Sequence, residues 1–519
     1  MAEEKVEKRG AKATAETRGS DLRNREKNLL KNRQSRTYLY FWAGLALIVL
    51  LACETKSSLM RAKIKEVENG LLRAVYFKGQ RPEKLRLEGR MAFYRVPGLS
   101  LAMIDEDAIF WAKGYGYCHN KEDGQVTAET IFQAGAFSQP VAAAVALSLV
   151  EEGKLRLDVD INNYFKTWKV PRTEATFKRP VTLRDLLLHR AGFSNWVFPG
   201  YDKSATLPTL SQILRGEKPA INTPLIPLDP PGTLVRTSES GYVVLQQLLE
   251  EVTQQPFAEL ARERVIGPVG LKNSFFSADG PSELNGKVAS GHDRNGMVLP
   301  GQWRRYPELA AKGLWSTAID MATFLCELMK AARGTEGKFL SVAAARAMLT
   351  AQAASRGFGF FVEGSGDDLY FHCEGRTAGF TCALLVFPGR RQGVVVMTNS
   401  DNGQVLTDEI IRSVAAAYKW PHFKPVERPL YRLDEEVYQR YIGRYEITPD
   451  YVLDVKFEDY YLVIQPTGQA PTKFYAESET VFFSVDPFIR IQFRRNEQGD
   501  VTSLVLWQQD FEQIARKVS

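Results

Sequence analysis

The chain has 519 residues, of which 44% are hydrophobic and 25% charged, with a net charge of +6. That length exceeds one ordinary domain, and the apolar content is ample for a large core. Residues 1–37 hold eleven Lys/Arg against six Asp/Glu, and the rest of the chain holds 56 basic and 55 acidic side chains, which excludes a basic nucleic-acid face on the folded part.

Residues 1–36 are polar, charged and poor in aromatics, the composition of a disordered basic tail. Tyr38–Cys53 follows as an uncharged run, YLYFWAGLALIVLLAC. It is short for a span of about 20 residues, but with Thr37 and snorkelling flanks it reaches across a bilayer. Arg33 and Arg36 precede it, so the N-terminus is expected in the cytoplasm of a bacterial cell and the main domains on the extracytoplasmic, periplasmic side. Two versions remain open for residues 37–53. One is an uncleaved signal anchor. The other is a lipoprotein signal, because Leu50-Leu51-Ala52-Cys53 resembles the bacterial lipobox and would place a lipid on Cys53. Residues 54–90 are rich in Lys, Arg and Glu, with helical spacing of Leu and Ile, and read as a stalk and first helix.

From about residue 91 the pattern is mixed. Residues 96–117 predict two strands around the acidic turn Asp105-Glu106-Asp107. Helices are predicted over Val141–Glu152, closed by Gly153, over Gly241–Val252 and over Ser316–Ala332. Ala383–Thr398 predicts two strands about a Pro-Gly-Arg-Arg turn. After the Pro-containing stretch 421–429 the period becomes two: Leu453, Val455 and Phe457 share a face, as do Ile489, Ile491 and Phe493. A small all-β domain is therefore expected over 430–519, behind a larger domain over 91–420. The cysteines Cys53, Cys118, Cys326, Cys373 and Cys382 are too few for a disulfide framework, and no Cys/His spacing suggests a metal. No cofactor is expected.

Several stretches in the middle of the chain occur in an order that carries a resemblance. They are Leu149–Asp158 (LVEEGKLRLD), Val181–Gly192 (VTLRDLLLHRAG), Pro231-Gly232 with Ser240-Gly241-Tyr242, Gly313–Asp320 (GLWSTAID) and Thr398–Asp401 (TNSD). This part resembles the serine β-lactamase-related family of class C β-lactamases, D-alanyl-D-alanine carboxypeptidases and penicillin-binding-protein-like enzymes. From Tyr441-Ile-Gly-Arg-Tyr445 onward the chain resembles the lipocalin-like β-domain often fused to that family. The resemblance implies an α+β fold of the β-lactamase/transpeptidase type, an antiparallel sheet flanked by helices with an all-helical subdomain, followed by a small barrel-like β-domain.

The family's chemistry is acyl transfer through a serine. Its S-x-x-K motif aligns with Ala136 in place of the nucleophile and Gln139 in place of the basic Lys. Its Y-x-N motif aligns with Thr237-Ser238-Glu239, and its K/H-x-G motif with Cys373-Glu374-Gly375. Alanine has no attacking atom and a neutral amide is no base. His372 is one residue out of register and is expected on the other face of its strand. Ser138, about 200° round a helix from Ala136, reads as a polar helix-start residue; with Ser238, Glu374 and Thr377 it is also a candidate lining residue of the groove. His189 reads as structural. The leading expectation is a degenerate pseudoenzyme that binds a peptide- or cell-wall-like (peptidoglycan-like) ligand or an unidentified protein partner at the membrane. The alternatives are an active serine hydrolase with a rearranged site, and a chain whose β-domain does the binding.

Overall fold

The computed structural model describes residues 57–120, 123–281, 287–335, 339–508 and 511–518. The expected membrane segment and Cys53 lie outside these residues, and no helix among them is long and apolar enough to cross a membrane. The chain divides into two compact units, Met1–Lys65 and Glu66–Ser519. In the first, residues 57–65 are helical; the described strands all belong to the second.

Residues 66–90 correct the expectation of a stalk. Leu71, Leu72 and Val75 are buried, and strand β1 (Val75–Phe77) pairs in parallel with β12 (Val426–Arg428), far away in sequence. Helix α1 (Leu87–Tyr94) buries Leu87, Arg90 and Met91. Charge density suggested a solvated segment, and the apolar residues between the charges decided otherwise.

The predicted hairpin forms as β2 (Gly98–Asp105) and β3 (Ala108–Asn120). Glu106 and Asp107 both adopt positive φ, 53° and 62°, the backbone of a two-residue turn matched to strand twist. With β4 (Asp123–Gln125), β8 (Phe361–Glu363), β9 (Tyr370–Thr377), β10 (Phe380–Phe387) and β11 (Gln392–Thr398) they build a seven-stranded sheet in the order β4-β3-β2-β11-β10-β9-β8. A three-stranded sheet joins β5 (Phe132–Gly135), β7 (Leu314–Ser316) and β6 (Phe275–Phe276) in that order.

Helix α2 (Ser138–Glu151) is buried at every position from Ser138 to Leu149. It is apolar all round, as a helix inside a large core must be, and its run of alanines lets neighbours approach closely. It begins three residues before the predicted Val141, because Pro140 sits in the first turn, where no N–H is needed. Helix α3 (Glu239–Thr253) follows the second motif. Short α4 (Leu309–Lys312) leads through β7 into α5 (Ala318–Arg333), which Thr317 caps by accepting from the Asp320 N–H. Helix α6 (Gly403–Ala417) packs on β10 and β11 and against α1.

The C-terminal part is a closed eight-stranded barrel: β13 (Gly443–Thr448), β14 (Tyr451–Glu458), β15 (Tyr461–Pro466), β16 (Thr472–Ala476), β17 (Val481–Val485), β18 (Phe488–Arg495), β19 (Val501–Gln508) and β20 (Phe511–Lys517). Leu453, Val455, Ile491 and Phe493 point inward, as the period of two requires. Tyr438, from helix α7 (Glu435–Gln439), Tyr441 just beyond it and Phe482 fill the lumen, with the Tyr441 and Phe493 rings stacked at 4.1 Å. The interior is a packed aromatic core, which turns the ligand question to the larger domain. Asp486, in the β17–β18 turn, binds the barrel to that domain through Arg90, Arg73 and Tyr94.

Candidate functional site

The site lies where the turn after β5 meets β9. Gly135 has a φ of 56°, and a Cβ there would stand 2.7 Å from the Arg376 nitrogen. A Cβ on Gly375 would stand 2.1 Å from the Ala134 carbonyl oxygen and 3.4 Å from the Ala136 nitrogen. Only glycine permits this approach at position 375, and it sets Ala136 directly against the strand of the third motif.

Ala136 is half-exposed and lies in the turn before α2, outside the helix. Gln139 follows in the first turn, and its N–H donates to the Ala136 carbonyl at 3.0 Å. Along β9 burial alternates. Cys373, Gly375 and Thr377 face inward, and the Cys373 thiol lies 3.6 Å from the Ala136 carbonyl oxygen. Burial pushes that thiol up to about 12, with Arg356 nearby pulling it back only in part, so Cys373 is protonated and a poor nucleophile. His372 lies on the opposite face, stacked on Phe361 with ring centres 4.8 Å apart.

The second motif is rebuilt around a charge pair. Thr237 is exposed, and its hydroxyl accepts a hydrogen bond from Arg356. Glu239 is buried, 2.8 Å from Lys312 Nζ, and it accepts from the Phe198 N–H at 2.7 Å. Lys312 is buried too and donates to the Phe198 carbonyl at 3.1 Å. The amide lost from the motif is thus replaced by one half of a buried ion pair. Burial holds the Glu239 carboxyl above its ordinary range in spite of Lys312 and the Phe198 N–H.

For Ser138 the structure takes the helix-start reading and corrects the groove reading. Its hydroxyl is fully buried, donates to the Gly135 carbonyl at 2.7 Å and accepts from the Leu314 N–H at 3.0 Å. It ties the start of α2 to β7 and does not line the groove. Since Ala136 is not helical, the angular argument for Ser138 does not apply, and burial takes its place. Of the other groove candidates, Glu374 is exposed on the strand edge. The hydroxyls of Ser238 and Thr377 are buried with no hydrogen-bond partner among the described residues. His189 is buried, its Nδ1 accepts from the Ser238 N–H at 3.1 Å, and burial, helped by the charge of Arg356, pushes it down to about 3. It is a neutral structural imidazole. No group of three or more His, Cys, Asp or Glu among the described residues is placed to hold a metal.

Sequence reasoning missed Arg356 and Lys312. Lys312 had a signal: it stands where the first glycine of the G-G-x-x-S-T-A-x-D segment belongs, beside the unusual Glu239. Arg356 had none, because it reaches the cleft from a loop with no motif of its own.

Beside this ion pair lies Glu308, fully buried, with neither carboxylate oxygen hydrogen-bonded among the described residues. Burial raises it to about 8, from 4.5 when exposed. The unfolded chain therefore loses this proton first, and stability falls as pH rises from 4.5 to about 8, then levels. Glu308→Gln is expected to remove that slope. In urea unfolding across this window, the variant should gain on the wild type with rising pH, on the order of a few kcal/mol.

Comparison with known proteins agrees with this geometry. The Beta-lactamase family model matches residues 85–419. Penicillin-binding protein 4* of Bacillus subtilis (strain 168) is 20% identical over 437 residues, covering 78% of this chain and 92% of that protein. The "Unguisins hydrolase ungD'" of Aspergillus campestris is 26% identical over 249 residues, 46% of this chain and 45% of that protein. The chain spans about half the length of the first curated relatives it matches. The octameric penicillin-binding protein homologue from Pyrococcus abyssi superposes with a TM-score of 0.55 at 22% identity, covering 82% of this chain and 99% of that one. D-alanine carboxypeptidase AmpC from Burkholderia cenocepacia superposes with a TM-score of 0.51 at 17% identity, covering 64% and 96%. With the sheet, the buried α2 and the approach of Gly375 to Ala136 all in place, the chain belongs to the Beta-lactamase family.

Proposed function

We propose that this chain is a catalytically degenerate member of its family, a binding protein built on a serine hydrolase scaffold and carried at a bacterial membrane by its N-terminal segment, with its folded parts outside the cytoplasm. The observation that carries the reading is Ala136: the residue set against Gly375 of β9 holds a methyl group. The two basic positions hold Gln139 and Cys373, and the thiol, the one alternative nucleophile at those positions, is kept protonated by burial. Relatives named as penicillin-binding proteins and hydrolases favour a peptide- or cell-wall-like ligand class. Turnover assays test this with a chromogenic cephalosporin, a D-alanyl-D-alanine peptide and an activated ester. The expected rates equal those without protein. Catalysed turnover that an Arg356→Met or Cys373→Ser change abolishes would replace this reading with that of an active hydrolase with a rearranged site.

A further inference from the structure

The cleft has lost two cations of its family; of the two it gains, Lys312 is paired with Glu239 and Arg356 is not. Arg356 comes from the loop before β8, which packs onto the start of α2 at Gly359, where a Cβ would stand 2.6 Å from the Pro140 Cα. The arginine is 7% exposed. The guanidinium carbon sits 3.3 Å from the centre of the Phe361 ring, and Nη2 donates to the Thr237 hydroxyl. Its remaining polar neighbours are the Cys373 thiol, the Tyr242 phenol and the His189 imidazole. All are neutral at neutral pH: burial raises the thiol and the phenol and lowers the imidazole. No carboxylate pairs with Arg356 among the described residues. Burial lowers the guanidinium only to about 10, so it stays charged.

A buried charge without a counter-ion is rare because desolvation is costly, and such charges are normally paired. Resting on the degenerate reading above, we infer that the cleft is a receptor for a monoanionic carboxylate with an apolar body, held by the Arg356 fork and the Thr237 hydroxyl. Arg236, the other cation beside Thr237, already pairs with Asp229 at 3.5 Å, so one unpaired guanidinium faces the cleft; it matches one negative charge, and its planar donors match a carboxylate. Thr237 is the exposed member of the cluster and marks the entrance. The apolar body has its own surface there: Trp196, Val197, Leu234 and Val235 are exposed together. The Trp196 carbonyl accepts from the Glu239 N–H at 3.0 Å and Arg236 lies 4.3 Å over the Trp196 ring, which holds this lip beside Thr237.

Full-length protein would be titrated with 3-phenylpropionate, its neutral amide, acetate and inorganic phosphate, by calorimetry and by thermal unfolding. 3-Phenylpropionate is expected to bind and raise the melting temperature, with the other three far weaker. Arg356→Met should weaken binding on the order of a hundredfold. Thr237→Val, at an exposed position that leaves the fold alone, should weaken it several-fold. Without ligand, Arg356→Met should melt higher than the wild type, since it removes an unpaired buried charge; a structural arginine would give the reverse. The proposal is overturned if none of the four probes binds the wild type, if amide or phosphate binds as well as the acid, if Arg356→Met binds unchanged, or if that variant melts lower or does not fold. Fluorophosphonate labelling of the same wild-type sample separates the two claims. Label with anion binding intact would sink the degenerate reading alone, and loss of anion binding without label would sink this inference alone.

Discussion

Replacing Lys312 with methionine is expected to cost about 3–5 kcal/mol of stability, and adding Glu239→Gln is expected to restore much of it. Both side chains are buried, 2.8 Å apart, and both also bond the Phe198 backbone. Without Lys312 the Glu239 carboxyl keeps its desolvation and loses its strongest stabilising charge. Its pKa, already raised by burial, then rises further, so the loss grows as pH climbs above the ordinary carboxylate range. Urea unfolding of both single variants and the double at acid and at mildly alkaline pH measures this. A Lys312→Met chain as stable as the wild type at alkaline pH would show that the pair does not hold the second-motif loop.

Arg90→Ala is expected to be as severe, about 3–5 kcal/mol. Arg90 is buried in α1 and binds Glu409 through two nitrogens, at 2.7 and 2.8 Å, and Asp486 at 2.6 Å. The Tyr94 hydroxyl lies 2.9 and 2.7 Å from oxygens of the same two carboxylates, so its one proton is shared between them. Truncation takes from Glu409, itself 1% exposed, its one guanidinium partner by hydrogen bond among the described residues, leaving Tyr94 and the nearby charge of Arg412. Asp486→Ala is milder, because Arg90 keeps Glu409, but it removes the barrel's bonds to Arg90, Arg73 and Tyr94. Hydrogen exchange should show the difference: faster exchange in β17 and β18 with Asp486→Ala, and a global loss of protection with Arg90→Ala. Equal, barrel-confined effects of the two would mean that Arg90 serves the barrel alone.

The parts of this molecule that local pattern dictates were legible in the sequence. The β2–β3 and β10–β11 hairpins follow from alternation around turns, and the barrel strands from their period of two. The third motif could be aligned from the sequence, and the structure supplies the reason for its glycine: at position 375 only glycine fits under the Ala134 carbonyl. What was not legible depends on distant partners. Residues 66–90 read as a stalk until β12 and Asp486 supply partners more than 300 residues away. Ser138 read as a candidate groove residue because the turn at Ala136 and Phe137 hides where the helix starts. Arg356 could be found only once the fold brought its loop across the cleft.

The central claim, that a formed cleft lacks its nucleophile, is tested most directly by intact-mass spectrometry of the wild-type protein after prolonged exposure to a fluorophosphonate and a penicillin, beside an Ala136→Ser, Gln139→Lys variant. The expected result is an unchanged mass for the wild type and a single added adduct on the introduced serine of the variant. A stoichiometric adduct on the wild type would contradict the account, and its position would name the residue that attacks.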